Sequence, residues 1–147
     1  VVAAISPQDN SLIGLVSILA PIIAGGNTCI ILASESKPLC AVSFAEVINS
    51  SDVPGGVVNI LTGRVSELYA HFASHMDVNA VIYCGNDAII AKEMQEKAAG
   101  NVKRFVRYIV VNWLGEKGQS PYHILNVQEI KTTWHPIENI GGGGGGY

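Results

Sequence analysis

The stretch Leu19-Ala-Pro-Ile-Ile-Ala-Gly-Gly-Asn-Thr-Cys-Ile-Ile-Leu-Ala-Ser-Glu35 joins an apolar helix end to a short apolar strand. Gly25 and Gly26 can adopt the left-handed backbone conformation that ends a helix, because they have no Cβ atom. Residues Thr28–Leu32 are apolar or β-branched over the length of one strand, which predicts a buried strand. A helix that leads directly into a buried strand is the repeating unit of a parallel α/β sheet.

The same alternation continues on both sides of this stretch, with short links between the elements. The predicted strands are Val1–Ile5, Thr28–Leu32, Val57–Leu61, Ala80–Cys84 and Phe105–Val111. The predicted helices are Leu12–Ala24, Leu39–Asn49, Ser66–Ala73 and Asp87–Ala99. This order predicts an α/β fold: a mostly parallel five-stranded sheet with helices on both faces. Ligands of such sheets bind at the carboxyl ends of the strands.

The composition narrows the possible partners. The chain has 147 residues and a net charge of -3, and it contains no basic cluster, so nothing indicates binding to nucleic acid or to an anionic membrane. Its three cysteines favour free thiols in a reducing, cytoplasmic environment over disulfides. The chain opens directly in a strand at Val1, so we expect it to be an internal piece of a longer polypeptide.

Four motifs resemble the cofactor-binding domain of the aldehyde dehydrogenase superfamily, over Val1 to about Val111. The opening stretch is similar to the family's LAPALAAGNTVVLKPSE. Pro54-Gly-Gly-Val-Val-Asn-Ile-Leu-Thr-Gly63 is similar to PPGVVNVVTG, and His75-Met-Asp-Val-Asn-Ala-Val-Ile-Tyr-Cys-Gly85 to HPDVDKVAFTG. Ala98-Ala-Gly-Asn-Val-Lys-Arg104 is similar to AAGNLKR. The resemblance implies a Rossmann-like domain that binds NAD or NADP.

The residues that would carry the family's chemistry are replaced. Asp9 aligns with the Asn that stabilises the oxyanion, and a carboxylate there would repel a developing negative charge. Leu32 stands in place of the lysine that holds the adenosine ribose, and Ile90 in place of a glycine of the phosphate loop. Tyr108 aligns with the general-base glutamate, and an ordinary tyrosine, with a pKa near 10, is a poor base at neutral pH. No cysteine occupies the position of the nucleophile, so no catalytic residue is assigned.

Some cofactor-binding positions keep a compatible residue. The resemblance implies vestigial contacts through Glu35, which could accept a bond from a ribose hydroxyl, and through Gly85 and Asn86. Asp87 follows them and would place a negative charge beside the phosphates. We interpret Asp87 as the N-cap of the next helix, and Cys84 as a small buried residue.

The C-terminal part has a different character, and His123–Trp134 alternates imperfectly. We divide the chain into a degenerate NAD-binding-like domain (1–112), a linker with a C-terminal strand (113–138) and a flexible glycine-rich tail (139–147). Val127–Pro136 resembles the family's oligomerisation strand, which implies interface positions at Val127, Ile130 and Trp134. The direct passage from cofactor domain to terminal strand resembles the truncated C-terminal domain of the sixteenth aldehyde dehydrogenase family.

Two functions follow from the resemblance. The first is a non-catalytic domain acting in oligomerisation, scaffolding or protein interaction, without a cofactor, whose partner is a second copy, the catalytic domain of the same polypeptide or another protein. The second is a fragment of an active NAD(P)-dependent dehydrogenase with residual cofactor binding. His71 and His75 are spaced i,i+4, but they have no further ligand nearby in sequence, so no metal site is expected.

Overall fold

The computed structural model describes residues 1–135 and contains the predicted alternation of strands and helices. The strands are β1 (Val2–Ile5), β2 (Cys29–Leu32), β3 (Val58–Leu61), β4 (Ala80–Tyr83) and β5 (Arg104–Arg107). The helices between them are α1 (Ile13–Ala24), α2 (Leu39–Asn49), α3 (Val65–Ser74) and α4 (Ala88–Ala99). A 3₁₀ helix (Glu116–Gln119) and a single-turn helix, α5 (Tyr122–Leu125), follow β5.

The five strands form one parallel sheet in the order β3-β2-β1-β4-β5. The chain moves outward from β1 to β2 and β3, and then returns to place β4 on the other side of β1. The predicted α/β fold is therefore confirmed. The reversal lies between β1 and β4, and a crevice opens at the carboxyl ends of the strands on either side of such a reversal.

Each face of the sheet packs against its own pair of helices, because successive side chains of a strand point to opposite faces. On one face, Val2 and Ala4 join a core with α1 and α2. On the other, Ala3 and Ile5 pack with Phe72 of α3 and Met94 of α4 and their neighbours. The apolar strands are therefore covered on both sides, as a parallel sheet requires.

The glycine pair ends α1 as predicted, although only one of the two glycines takes the left-handed conformation. Gly26 has φ +76°, and its N–H donates to the carbonyl of Ile23. Asn27 N–H donates to the carbonyl of Ile22, so two of the last carbonyls of the helix find partners. The chain then enters β2 two residues later.

The predicted C-terminal strand is not found in the described residues. The segment instead forms one helical turn at Tyr122–Leu125, after Pro121, and residues 126–135 contain neither strand nor helix. The turn packs against α1, so tertiary contacts determine its conformation in place of the weak alternation. Strand β5 is also shorter than predicted, and Val110 beyond it has φ +47°. Pro136 and the predicted tail at 139–147 lie outside the described residues.

Within residues 1–135, no helix has the length and apolar character needed to cross a membrane.

Candidate functional site

A cleft of about 320 Å³ lies at the carboxyl ends of β1, β4 and β5, beside the reversal of strand order. Its walls come from the loops that follow these three strands. The lining residues are Pro7, Gln8, Asp9, Asn10, Cys84, Gly85, Asn86, Tyr108, Val110, Val111 and Trp113. The structure therefore brings the predicted positions Gly85 and Asn86 together with Asp9 and Tyr108.

Glu35 lies on the loop after β2, outside the lining of this cleft. Its N–H donates to Gln8 Oε1 at 2.8 Å, and its carboxylate accepts a hydrogen bond from Val65 N–H at the start of α3. A carboxylate at a helix N-terminus satisfies a backbone donor and interacts favourably with the helix dipole. The Val65 N–H would therefore compete with a ribose hydroxyl for the Glu35 carboxylate.

The start of α4 is capped by the protein itself. Asp87 Oδ1 accepts hydrogen bonds from Ile89 N–H at 2.8 Å and from Ile90 N–H at 3.1 Å, so the predicted N-cap is confirmed. These are amides that a phosphate group would approach at a helix N-terminus. The bound carboxylate occupies them and adds a negative charge.

Gly85 is required by its neighbour on the same strand end. A Cβ atom at Gly85 would lie 2.4 Å from Cζ and the hydroxyl oxygen of Tyr83, closer than any real contact. Arg107 donates from Nε to the carbonyl of Gly85 at 3.3 Å, and its guanidinium lies 5.9 Å from the centre of the Tyr83 ring. The glycine therefore accommodates a tyrosine ring.

Tyr108, which the resemblance aligns with the family's general base, has a hydrogen-bond partner on each side of its hydroxyl. Asn126 Nδ2 donates to the hydroxyl at 2.9 Å, and His123 Nδ1 lies 2.9 Å from it. His123 Nε2 lies 2.9 Å from the carbonyl of Lys117, so Nε2 donates, and in the neutral ring Nδ1 accepts from Tyr108. Burial raises the pKa of Tyr108, against the lowering effect of the Asn126 bond, so the hydroxyl stays protonated at neutral pH.

Aromatic rings surround this network. The Tyr108 ring meets Trp113 edge-on at 5.9 Å between centroids and His123 at 4.9 Å. Trp113 is buried. The sequence alone assigned no role to His123 or Asn126. No local pattern marks these residues, because their partner Tyr108 is on another element.

Cys84 directly follows β4 and forms part of the cleft wall, with 7% of its surface exposed. Burial raises the pKa of its thiol far above the ordinary value, which disfavours the nucleophilic thiolate. Its prediction as a small buried residue is confirmed. Cys29 is also buried, and Cys40 is exposed on α2.

Leu32, which the resemblance aligns with the family's ribose-binding lysine, is fully buried in the core on the α3 and α4 face of the sheet. Among residues 1–135, no three side chains of His, Cys, Asp or Glu come together in a group that could hold a metal ion.

The three predicted interface residues, Val127, Ile130 and Trp134, differ in their exposure to solvent. Val127 is buried in the core shared with α1, and it is therefore unavailable as a surface contact. This corrects its assignment, because the segment turns inward after α5 and does not extend as a strand. Ile130 and Trp134 are 77% and 83% exposed.

The parallel sheet, its strand order and the cleft at the strand reversal define a Rossmann-like α/β domain. The sequence profile of the aldehyde dehydrogenase family matches residues 1–110, so the chain belongs to this family. Aldehyde dehydrogenase family 2 member C4 of Arabidopsis thaliana is 36% identical over 130 residues, covering 88% of this chain and 25% of that protein. Cytosolic aldehyde dehydrogenase 1 of Elephantulus edwardii is 38% identical over 101 residues, covering 68% of this chain and 20% of that protein.

Solved structures agree with this assignment. Aldehyde dehydrogenase C of Pseudomonas syringae, a variant solved with NAD+ and octanal, superposes with a TM-score of 0.69 at 30% identity, over 74% of this chain and 22% of that one. An indole-3-acetaldehyde dehydrogenase gives 0.69 at 33% identity, over 74% of this chain and 25% of that one. The chain thus spans a quarter or less of the length of these relatives.

Proposed function

We propose that this chain is a non-catalytic aldehyde-dehydrogenase-like domain that acts by association, in oligomerisation, scaffolding or protein interaction. The observation that carries the proposal is the state of Tyr108. At the position of the family's general base, the hydroxyl is protonated and hydrogen-bonded to His123 and Asn126. A general base needs a pKa near the working pH, whereas this hydroxyl holds its proton and shares it with His123.

The surroundings of the dinucleotide position also support a domain that works without a cofactor. The residues present do not fit NAD or NADP: Asp87 already bonds the first amides of α4, Leu32 is buried in the core, and Glu35 bonds the start of α3. A dinucleotide would have to displace these internal contacts and approach the Asp87 carboxylate. Fold alone does not supply function when the site residues have changed.

Ile130 and Trp134 supply the proposed contact surface, since both are exposed and they lie four residues apart in the sequence. Large apolar side chains are enriched at the centres of protein interfaces, and tryptophan above all. The partner is a second copy or the catalytic domain of the same cytoplasmic polypeptide. We propose that the chain is a domain of the kind found at the truncated C-terminus of the sixteenth aldehyde dehydrogenase family, which its sequence resembles.

Sedimentation velocity over a concentration series tests association. We expect the mean mass of the full chain to rise with concentration, and Ile130→Ser, Trp134→Ser and truncation after Asn126 to reduce that rise. Leu39→Ser is the matched control, because Leu39 is an equally exposed apolar residue on α2. A chain that stays monomeric at all concentrations on its own contradicts self-association. Sedimentation of a mixture with the catalytic domain then tests association with that domain.

The alternative is a fragment of an active NAD(P)-dependent aldehyde dehydrogenase with residual cofactor binding through Glu35, Gly85 and Asn86. Family membership and the relative solved with NAD+ favour it. Calorimetry with NAD and with NADP separates the two proposals. Micromolar affinity that disappears in Glu35→Ala supports the alternative, whereas no heat at millimolar cofactor excludes it.

A further inference from the structure

Residues 113–128 cross from the end of β5 to the end of α1, and we call this segment the strap. We propose that the strap is held by two latches in its C-terminal part, that it covers the cleft wall containing Cys84, and that it opens as a unit while the sheet stays folded. This inference does not depend on the proposed function, because it concerns contacts within one chain.

The first latch is the hydrogen-bond chain on Tyr108. Two side chains of the strap, His123 and Asn126, bond the same hydroxyl, and the Lys117 carbonyl holds the other nitrogen of His123. With Nε2 donating to Lys117, the hydroxyl donates to Nδ1 and accepts from Asn126, so the hydroxyl and both ring nitrogens of His123 have partners. The bonds tie one turn of the strap to the residue that follows β5.

The second latch is formed by Gln128, the last residue of the strap. Gln128 Nε2 donates to the carbonyl of Gly25 at 2.7 Å, which is one of the terminal carbonyls of α1. A Cβ atom at Gly25 would lie 2.0 Å from this nitrogen. The absence of a side chain at Gly25 therefore makes room for the glutamine.

Few side chains along the whole strap are buried. Trp113 and Val127 are buried in the core, whereas Leu114, Tyr122 and Leu125 are exposed. The strap pairs with no strand within the described residues. A segment held by few apolar contacts and a few hydrogen bonds opens at lower free-energy cost than the sheet that it covers.

The labelling rates of the two buried thiols, Cys84 and Cys29, distinguish opening of the strap from global unfolding of the domain. Cys84 shares the cleft wall with Trp113, the first residue of the strap, and with Tyr108, the residue that His123 and Asn126 of the strap bond. Cys29 is fully buried at the first position of β2, where the strand pairs with both β1 and β3. Opening of the strap therefore exposes Cys84 alone, whereas global unfolding exposes both.

Thiol labelling with N-ethylmaleimide, followed at each cysteine by mass spectrometry, tests the proposal in a Cys40→Ser background, since Cys40 is exposed. Gly25→Ala displaces the Gln128 side chain and so breaks its hydrogen bond to the Gly25 carbonyl, at a site outside the cleft. Gln128→Ala removes the donor of the same hydrogen bond. We expect each to raise the labelling rate of Cys84 by roughly threefold to tenfold, the factor equivalent to one hydrogen bond, without changing that of Cys29. The double variant should match either single one.

Gly55→Ala is the matched control, because no atom lies within 4 Å of a Cβ added there. It makes the same chemical change and should leave both rates as they are. Equal acceleration at Cys84 and Cys29 in the latch variants would show that the strap opens only with the whole domain. An unchanged rate at Cys84 would show that the strap does not cover it, and either result overturns the proposal.

Tyr108→Phe provides a second route to the same test, because it removes the hydroxyl and keeps the ring. We expect it to accelerate Cys84 labelling as Gly25→Ala does. Failure of this proposal leaves the sedimentation results for Ile130→Ser and Trp134→Ser untouched, since both residues lie outside the strap.

Discussion

At the first turn of α4, the Asp87 carboxylate accepts hydrogen bonds from two backbone N–H groups that no helix carbonyl can reach. We therefore expect Asp87→Ala to lower the free energy of unfolding by about 1 kcal/mol, the usual effect of losing an N-cap. Asp87→Ser retains a capping oxygen and should lose less than half of that. Urea denaturation of the two variants and the unchanged chain measures both effects. Equal losses in the two variants would show that the charge, and not the cap, stabilises the helix.

The Cys29 thiol makes stability depend on pH in the alkaline range. Burial raises its pKa from the ordinary value of 9.0 to about 11, against a smaller lowering by the Asn59 hydrogen bond. The folded state therefore keeps the proton more tightly than the unfolded state does. The contribution of this thiol to stability is fully present below pH 9 and is lost as pH rises towards 11.

We expect the unfolding free energy of the unchanged chain to fall between pH 8 and pH 10.5 by about 2 kcal/mol more than that of Cys29→Ala. Lysines and tyrosines also titrate in this range, and the difference between the two proteins removes their common contribution. Cys40→Ala is the control, because Cys40 is exposed, and its pH profile should follow that of the unchanged chain. Parallel profiles for all three proteins would contradict a buried, protonated Cys29.

At the scale of elements, the parallel sheet was predictable because its signals are local. The apolar runs, the Gly25-Gly26 helix stop and the Asp87 cap each lie within a few residues of the structure they specify. The strap was not predictable in this way. Ile124, Val127 and Trp134 suggested an imperfect strand, but contacts with α1 and with Tyr108 select a helical turn, and those partners are distant in sequence.

Lys103 connects two elements and provides a test of how α3 ends. Its side chain is buried, and Nζ donates to the carbonyl of His75, just beyond the last residue of α3. Lys103→Ala leaves that carbonyl without its partner and removes the packed stem. We expect a loss of about 2 kcal/mol in unfolding free energy, because breaking a buried hydrogen bond to a charged group has a large effect. Lys37→Ala, on an exposed loop, is the matched control and should change stability by less than about 0.5 kcal/mol.

For the molecule as a whole, the sequence identified which chemical groups are replaced but not what the replacements do. Alignment predicted Tyr108 in the position of a base, and the structure shows that its hydroxyl anchors a neighbouring segment. It predicted Val127 at a surface, whereas Val127 is part of the core. Both differences arise from the fold-back of residues 113–128, which joins the cleft edge and α1 into one unit.

The two tryptophans make the proposed association visible without a label. Trp113 is 4% exposed and Trp134 is 83% exposed, so only Trp134 can change from water to an apolar contact when the chain associates. In Trp113→Phe, all tryptophan emission comes from Trp134, and we expect it to shift to shorter wavelength as concentration rises. In Trp134→Phe, the remaining emission comes from the buried Trp113 and should not move. A Trp134 spectrum that stays typical of water while sedimentation reports oligomers would place the contact surface elsewhere on the domain, because a tryptophan at the centre of an interface cannot remain hydrated.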